Sequence, residues 1–379
     1  MATHRAVAIT AVGSLEVVNL PTPVPGADEV LIHVRYSALI AFDGYQLDIG
    51  YMLSANDYPH VIGFGSAGFV KAVGENVKDL KEGDRVAAYN LPQSRNKSAQ
   101  EYAVVPRWQV AKIPESVPLH EAASIPDNYV TAMFTVFGTP NLALPIPPSL
   151  VPPSSVPTRP SVDLSVPVLV YGAGSSAGQF FIQALRLAGF TDVFAVASSK
   201  HHEYLRTLGA TQCFDYRSRD VAAQIRAAAA STKHGRLPIA LDPIATRGSL
   251  TLLSEVLASP AALPPARLAV LLAYKDGDSV TNSPGTAMSL TPPRWLEDAL
   301  AGKNIDLVPV GTFRFGEDGF SRENIVPVIL PQLLAEGKLR ANPVRLLEEG
   351  TLLERVKTGL DLLRHNKISG EKLVVELKF

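Results

Sequence analysis

The residues most able to do chemistry lie in Val168-Leu169-Val170-Tyr171-Gly172-Ala173-Gly174-Ser175-Ser176-Ala177-Gly178-Gln179. A short apolar run of strand type meets glycines and then a helix-forming sequence. Gly172, Gly174, Ser175, Ser176, Ala177 and Gly178 satisfy a relaxed dinucleotide fingerprint. Strict G-x-G-x-x-G spacing puts the third small residue at Ala177, where alanine is accepted. The chemistry would be capture of a pyrophosphate: a tight turn, close approach of backbone N–H groups, and a helix N-terminus facing negative charge.

The same letters admit a second chemistry. Gly174-Ser175-Ser176-Ala177-Gly178 matches the G-x-S-x-G elbow of serine hydrolases, which makes Ser176 a nucleophile and calls for a later acid and histidine, such as Asp242 and His365. No His-Gly-Gly segment precedes it, and the dinucleotide reading is preferred.

The next apolar run, Val193–Ala197, ends in Ser198-Ser199-Lys200-His201. Enzymes that use NAD place a carboxylate near this point, about 20 residues after the glycines, on the ribose hydroxyls. Here the first acid is Glu203, already on the following helix. Hydroxyls and an ammonium attract a 2′-phosphate, so the expected cofactor is NADPH. Lys200 as a plain surface lysine is the alternative. His201-His202 offers no metal site, since adjacent helical residues point about 100° apart.

Positioning these groups requires alternating strands and helices. Val168–Val170, Gln179–Ala188, Val193–Ala197, His202–Leu208, Asp220–Ala229, Leu237–Leu241, Ser249–Leu257 and Leu268–Ala273 alternate in period and imply parallel βαβ units. Residues 1–130 read instead as short strands with glycine corners, starting with Ala6–Thr10 and Leu15–Asn19 around Gly13. Glu29–Ala38 alternates Val30, Ile32 and Val34 against Leu31, His33 and Arg35. A helix over Thr351–Leu363 and a strand over Lys372–Leu377 close the chain. Between the two styles, Thr139–Pro167 holds 9 of the 30 prolines, which excludes a helix or central strand and suggests an exposed loop.

A chain of 379 residues suits two domains, and 46% hydrophobic with 19% charged residues excludes a disordered class. The formal charge of 35 − 36 = −1 gives no reason to bind nucleic acid or an anionic membrane. One cysteine, Cys213, excludes an internal disulfide and a cysteine-rich zinc site. No window of about 18 residues is apolar enough to span a bilayer, and no signal peptide is evident. A cytoplasmic protein is expected, as monomer or homodimer.

Gly63–Val70, Gly83-Asp84-Arg85-Val86, Glu101-Tyr102-Ala103, the Gly172–Gly178 turn, Leu208-Gly209-Ala210-Thr211, Phe214-Asp215-Tyr216-Arg217 and Ser369–Val374 together resemble the medium-chain dehydrogenase/reductase superfamily from end to end. The proline-rich insertion and the Phe214–Arg217 wording are most similar to its fungal branch of trans-acting enoyl reductases and quinone-oxidoreductase-like proteins. The resemblance implies an α/β fold: a GroES-like β-barrel domain from residues 1–130 and 313–379, around a doubly wound Rossmann cofactor domain over 131–312, with 139–167 as a proline-rich loop.

Zinc-dependent members hold their metal with a cysteine and a His-Glu pair. Alignment on Asp43 and Gly63 puts Ile40, Phe64 and Gly65 at those positions, none of which donates a side-chain ligand. The resemblance therefore implies chemistry without zinc. Without a Lewis acid, a conjugated C=C–C=O system is the accessible acceptor, because charge spreads onto the carbonyl oxygen as the β-carbon is reduced. The favoured reading is NADPH-dependent reduction of α,β-unsaturated ketones or aldehydes. A quinone reductase, a trans-acting enoyl reductase of a polyketide pathway and a non-catalytic NADPH-binding protein remain as alternatives.

By resemblance, Thr131 faces the nicotinamide, or else only back-bonds within its helix. Tyr45 lies near the substrate, as hydrogen-bond donor or proton relay, or is an ordinary cleft-wall tyrosine; Tyr51 is a weaker candidate. Tyr216 and Lys200 match positions near the adenosine 2′-phosphate. The related branch carries Asn-Pro where this chain has Ile40-Ala41, which makes the site more apolar.

Overall fold

The computed structural model describes residues 2–151, 157–159, 162–277 and 287–378. The chain divides into two compact units, residues 1–130 with 322–379, and residues 131–321.

The first unit is built from antiparallel strands. Thr3–Ala11 and Ser14–Pro21 form the opening hairpin, and His60–Val61 joins its other side. The central strand of the larger sheet, Glu29–Leu39, pairs with Gly65–Val73, Tyr102–Pro106 and Lys372–Glu376. Val30, Ile32 and Val34 are fully buried while His33 and Arg35 are not, as the alternation predicts, but Leu31 on the second face is buried as well. Val30, Ile32 and Val34 join Val7, Ile9, Val61, Val86, Val105, Val356 and Val375 in one apolar core. Against Gly65–Val73 the register shifts twice, between Leu31 and Ile32 and between Val34 and Tyr36, so the sheet bends at its glycine-rich partner. Helix Leu352–Arg364 covers the core through Leu352, Val356 and Leu360, and Thr351 caps it.

The second unit holds a six-stranded parallel sheet. Its spatial order is Gln212–Phe214, Val193–Val196, Val168–Tyr171, Ile239–Asp242, Ala266–Leu271, Ile305–Val310. The first strand in sequence, Val168–Tyr171, therefore sits in the middle, and the chain runs outward from it in both directions. In such a sheet the reversal leaves a crevice at the carboxyl ends of the two central strands.

The second boundary falls at 321/322 rather than the expected 312/313. Residues 312–321 remain with the cofactor unit because Phe315 is buried edge-on against Phe134, and the Thr312 hydroxyl donates to Thr131 Oγ1 at 3.3 Å. The proline-rich segment departs further from expectation. Its described part forms turns, but Leu142, Leu144, Leu150 and Val151 are buried, and Arg267 donates to the carbonyls of Asn141 and Leu142 at 2.7 Å. The segment is a packed strap there, not an exposed loop; residues 152–156 and 160–161 lie outside the described residues.

Candidate functional site

In the second unit, strand Val168–Tyr171 turns through Gly172 into helix Ser176–Ala188. Gly172 has φ +58°, and a Cβ there would lie 2.7 Å from Ile244 Cδ1 in the turn after Ile239–Asp242. The turns of the two central strands thus sit side by side at the switch point. Ser175 is the N-cap, its hydroxyl accepting from Gly178 N–H at 3.1 Å, and Ser176 opens the helix. Close packing of the helix start against the turn also requires the absence of a side chain at Gly178. A Cβ on Gly178 would strike the Gly172 carbonyl oxygen and lie 2.6 Å from Ala173 Cα. A Cβ on Gly174 would lie 2.9 Å from the edge of the His201 ring and 3.6 Å from Ala197 Cβ. The His201 ring therefore lies against the glycine turn at Gly174.

At the end of Val193–Val196, Ser198 is buried and its hydroxyl has no partner among the described residues. Such an orphan beside the glycine turn fits a polar ligand. Ser199 and Lys200 follow on the exposed side, and Asp215 accepts from Ser199 N–H at 3.2 Å and from Arg217 N–H at 2.9 Å. Asp215 is a carboxylate that reaches this end of Val193–Val196 from the neighbouring strand, Gln212–Phe214, and not from the residues that follow Ala197. Tyr216 is half exposed, with the Arg217 guanidinium 5.2 Å from its ring. The structure thus brings Lys200, Asp215, Tyr216 and Arg217 to one edge of the sheet, and Arg217 adds a cation the sequence reading had not weighed. The glycine cradle, the orphaned Ser198 hydroxyl and these cations fit a nicotinamide dinucleotide.

The hydrolase reading finds no support in these contacts. Asp242 is fully buried and accepts from Ser249 Oγ at 2.6 Å, Ile244 N–H at 2.8 Å and Ala245 N–H at 3.2 Å. Its oxygens are committed to the turn after its own strand. His365 is engaged through Nδ1 with the Asp361 carbonyl of its own helix. Lys275, deeply buried beside Asp242, donates to the Ile244 carbonyl at 2.9 Å, and burial pulls its ammonium down to about 8.

Thr131 is buried; its hydroxyl accepts from Thr312, and its carbonyl accepts from Thr135 at 2.7 Å.

The first unit holds the other set. Helix Ala41–Ile49 begins at Ile40 and carries Phe42, Asp43 and Tyr45. Asp43 is completely buried, and its carboxylate accepts from Ile40 N–H at 2.8 Å and Gly63 N–H at 2.7 Å. It thereby pins the helix start to the turn at Gly63. That turn needs glycine, since φ is +92° and a Cβ would lie 2.6 Å from Ser37 Oγ. Phe42 meets Tyr51 and Phe64 edge-on, at centroid distances of 5.6 and 5.3 Å. The ammonium of Lys97, a residue only 1% exposed, stands 3.2 Å from the centroid of Phe64. Burial pulls Lys97 down, opposed by the charge of Asp43; burial pushes Asp43 up, opposed by its two backbone donors, Lys97 and Lys372. Lys372 is itself bonded to buried Asp127. Tyr45 is buried, and its phenol is pushed well above the ordinary range by desolvation and by Tyr51.

The structure therefore gathers Phe42, Asp43, Tyr45, Tyr51, Phe64 and Lys97. Sequence reasoning named the aromatic and aspartate positions but missed Lys97. The only available signal was a lysine in the polar run Ser94–Ser98, which resembles solvated loop. Ile40, Phe64 and Gly65 bring no metal-donor atoms, and no group of three or more His, Cys, Asp or Glu side chains able to hold a metal occurs among the described residues.

Comparison with known proteins follows the same division. Residues 26–115 match the model of the alcohol dehydrogenase GroES-like domain. The trans-enoyl reductase BOA5 of Botryotinia fuckeliana (strain B05.10) is 30% identical, over 98% of this chain and 99% of that protein. The trans-enoyl reductase opdC of Penicillium oxalicum (strain 114-2 / CGMCC 5302) is also 30% identical, over 94% and 92%. Among solved structures, the CurK enoyl reductase superposes with a TM-score of 0.74 at 19% identity over 99% of both chains. The quinone oxidoreductase of Pseudomonas syringae pv. Tomato DC3000 gives 0.72 at 18% identity, over 99% of this chain and 100% of that one. These two establish the fold. No helix among the described residues is long and apolar enough to cross a membrane. The chain belongs to the medium-chain dehydrogenase/reductase superfamily, nicotinamide-dependent oxidoreductases, within the zinc-lacking branch of enoyl-reductase type.

Proposed function

We propose that this protein is an NADPH-dependent, zinc-independent trans-acting enoyl reductase, saturating the C=C bond of an α,β-unsaturated thioester held by a separate carrier. The observation that carries the reading is the replacement of the metal-donor positions by Ile40, Phe64 and Gly65, in a chain that aligns with trans-enoyl reductases along its whole length. A free ketone or aldehyde, favoured on sequence alone, yields to the thioester because of these relatives.

When bound, the reduced nicotinamide supplies hydride to the β-carbon of the acceptor. Gly172, Gly174 and the capped helix start would hold the pyrophosphate, with the Ser198 hydroxyl in reach of the adenosine side. Lys200 and Arg217 would face the 2′-phosphate, while Asp215 holds the Ser199 and Arg217 backbones in place. Phe42, Tyr51 and Phe64 supply apolar walls suited to an unsaturated acyl chain.

The test is cofactor oxidation by a panel: crotonyl-N-acetylcysteamine, a matched free enone and a benzoquinone, each with NADPH and NADH. Preference for the thioester with NADPH supports the proposal. Preference for quinone or enone assigns one of the other branch activities, and tight NADPH binding with no turnover on any acceptor returns the non-catalytic reading.

A further inference from the structure

Lys97 is an unusual buried cation. It is 1% exposed, and among the described residues its ammonium makes no hydrogen bond and no ion pair within 4 Å. Removing an ammonium from water is costly and is tolerated when a partner repays it. The natural partner would be Asp43, yet both carboxylate oxygens of Asp43 are engaged by the backbone N–H groups of Ile40 and Gly63. Lys372, the other buried cation acting on Asp43, is bonded to Asp127. The Lys97 ammonium lies over the face of Phe64, and among the described residues no hydrogen bond takes its N–H donors. It stands over the ring that occupies a metal-ligand position by alignment, among the aromatic walls formed by Phe42 and Phe64.

We propose that the Lys97 ammonium is the electrophile of this site. It donates a hydrogen bond to the carbonyl oxygen of the substrate and then supplies the proton that completes reduction. The assignment rests on the enoyl-reductase reading above. As the β-carbon is reduced, the C=C π bond breaks and its electron pair moves through the α-carbon onto the carbonyl oxygen. A fixed cation at that oxygen stabilises the charge where it develops. The N–H bond then breaks, its electron pair stays on nitrogen, and the enolate pair forms the α-carbon C–H bond. Water returns a proton to the amine.

Tyr45 is the rival donor, but burial makes its phenol hold the proton more tightly, whereas burial makes Lys97 release it more readily. Asp43 opposes that release from one side. The charged Lys97 in turn disfavours protonation of His60, which Asp57 favours, and Lys372, bonded to Asp127, acts with Lys97 on Asp43.

The test uses Lys97→Met and Lys97→Arg in the full chain with crotonyl-N-acetylcysteamine carrying a 13C carbonyl. Isotope-edited infrared spectra of the protein–thioester complex, recorded without cofactor, should show a carbonyl stretch at lower frequency than in water. Lys97→Met should abolish that shift and Lys97→Arg should keep part of it. With NADPH, Lys97→Met should lower kcat/KM by about 10²- to 10³-fold. The alkaline limb of the wild-type pH profile should vanish while NADPH affinity stays unchanged. If Lys97→Met fails to fold, Asp43→Asn/Lys97→Met removes both charges and serves in the same comparison. A carbonyl shift or a rate retained in Lys97→Met, or in Asp43→Asn/Lys97→Met where that stands in for it, overturns the proposal. Absence of thioester reduction by the wild type instead defeats the enoyl-reductase reading, and the spectrum of the complex still decides whether Lys97 meets the carbonyl.

Discussion

Gly178→Ala separates the packing role of the glycine turn from its ligand role. The added Cβ would meet the Gly172 carbonyl oxygen, Ala173 Cα at 2.6 Å and Ala173 C at 2.9 Å, all of them backbone. None can rotate away, so the helix start must move off the turn. Overpacking of this kind costs about 1–3 kcal/mol. Alanine recovers up to about 1 kcal/mol of helix propensity at this position within Ser176–Ala188. The net expectation is a loss of about 1–2 kcal/mol, or about 2–8 °C in the midpoint of a unit of this size. The chain has two tryptophans, Trp108 in the first unit and Trp295 in the second, so a Trp108→Phe background makes Trp295 fluorescence report the cofactor unit. Gly174→Ala is the control. Its Cβ would meet the His201 ring at 2.9 Å and Ala197 at 3.6 Å, side chains rather than backbone, so the loss of stability should be smaller than in Gly178→Ala. Calorimetric NADPH titration should nevertheless show weaker binding for both variants. A Gly178→Ala protein as stable as its parent would refute the packing argument, and unchanged NADPH affinity in Gly174→Ala would refute the cradle.

Three further outcomes are expected. Lys200→Glu should weaken NADPH by about ten- to a hundredfold, as loss of a charge-assisted bond predicts, and NADH far less; equal losses in paired titrations would remove the phosphate assignment. Tyr45→Phe should reduce turnover by about two- to tenfold, the worth of one hydrogen bond, without changing cofactor affinity; unaltered turnover would make Tyr45 a wall residue only. His60 is held down to about 4 by burial and by Lys97, and its Nε2 has no hydrogen-bond partner among the described residues. Its folded pKa lies below the unfolded value, so its contribution to stability is present above about 6.5 and is lost as pH falls toward 4. That loss amounts to about 3 kcal/mol. His60→Asn should flatten this acid decline in denaturant titrations relative to wild type. Asp43, raised by burial, acts in the opposite direction in both proteins, so parallel curves would count against His60.

Local order along the chain determined much of this protein. The strand–glycine–helix sequence at Val168–Gln179, the alternation of Glu29–Leu39 and the switch from short strands to βαβ units follow from side-chain periodicity and backbone sterics, which act between near neighbours. So does the absence of metal-donor atoms at Ile40, Phe64 and Gly65, once the family's order of motifs is seen. Tertiary structure decided the rest. That Gly178 packs against the backbone of Gly172 and Ala173 depends on where the helix axis lies. That Leu142 and Leu144 face inward cannot be read from prolines, which restrict the backbone without choosing which side of it is buried. Asp215 reaches Ser199 only because two strands pair in parallel. Lys97 comes to Phe64 and within electrostatic reach of Asp43 only when three distant segments fold together. Burial and charge act through space, and their consequences are set by neighbours that the linear order keeps apart.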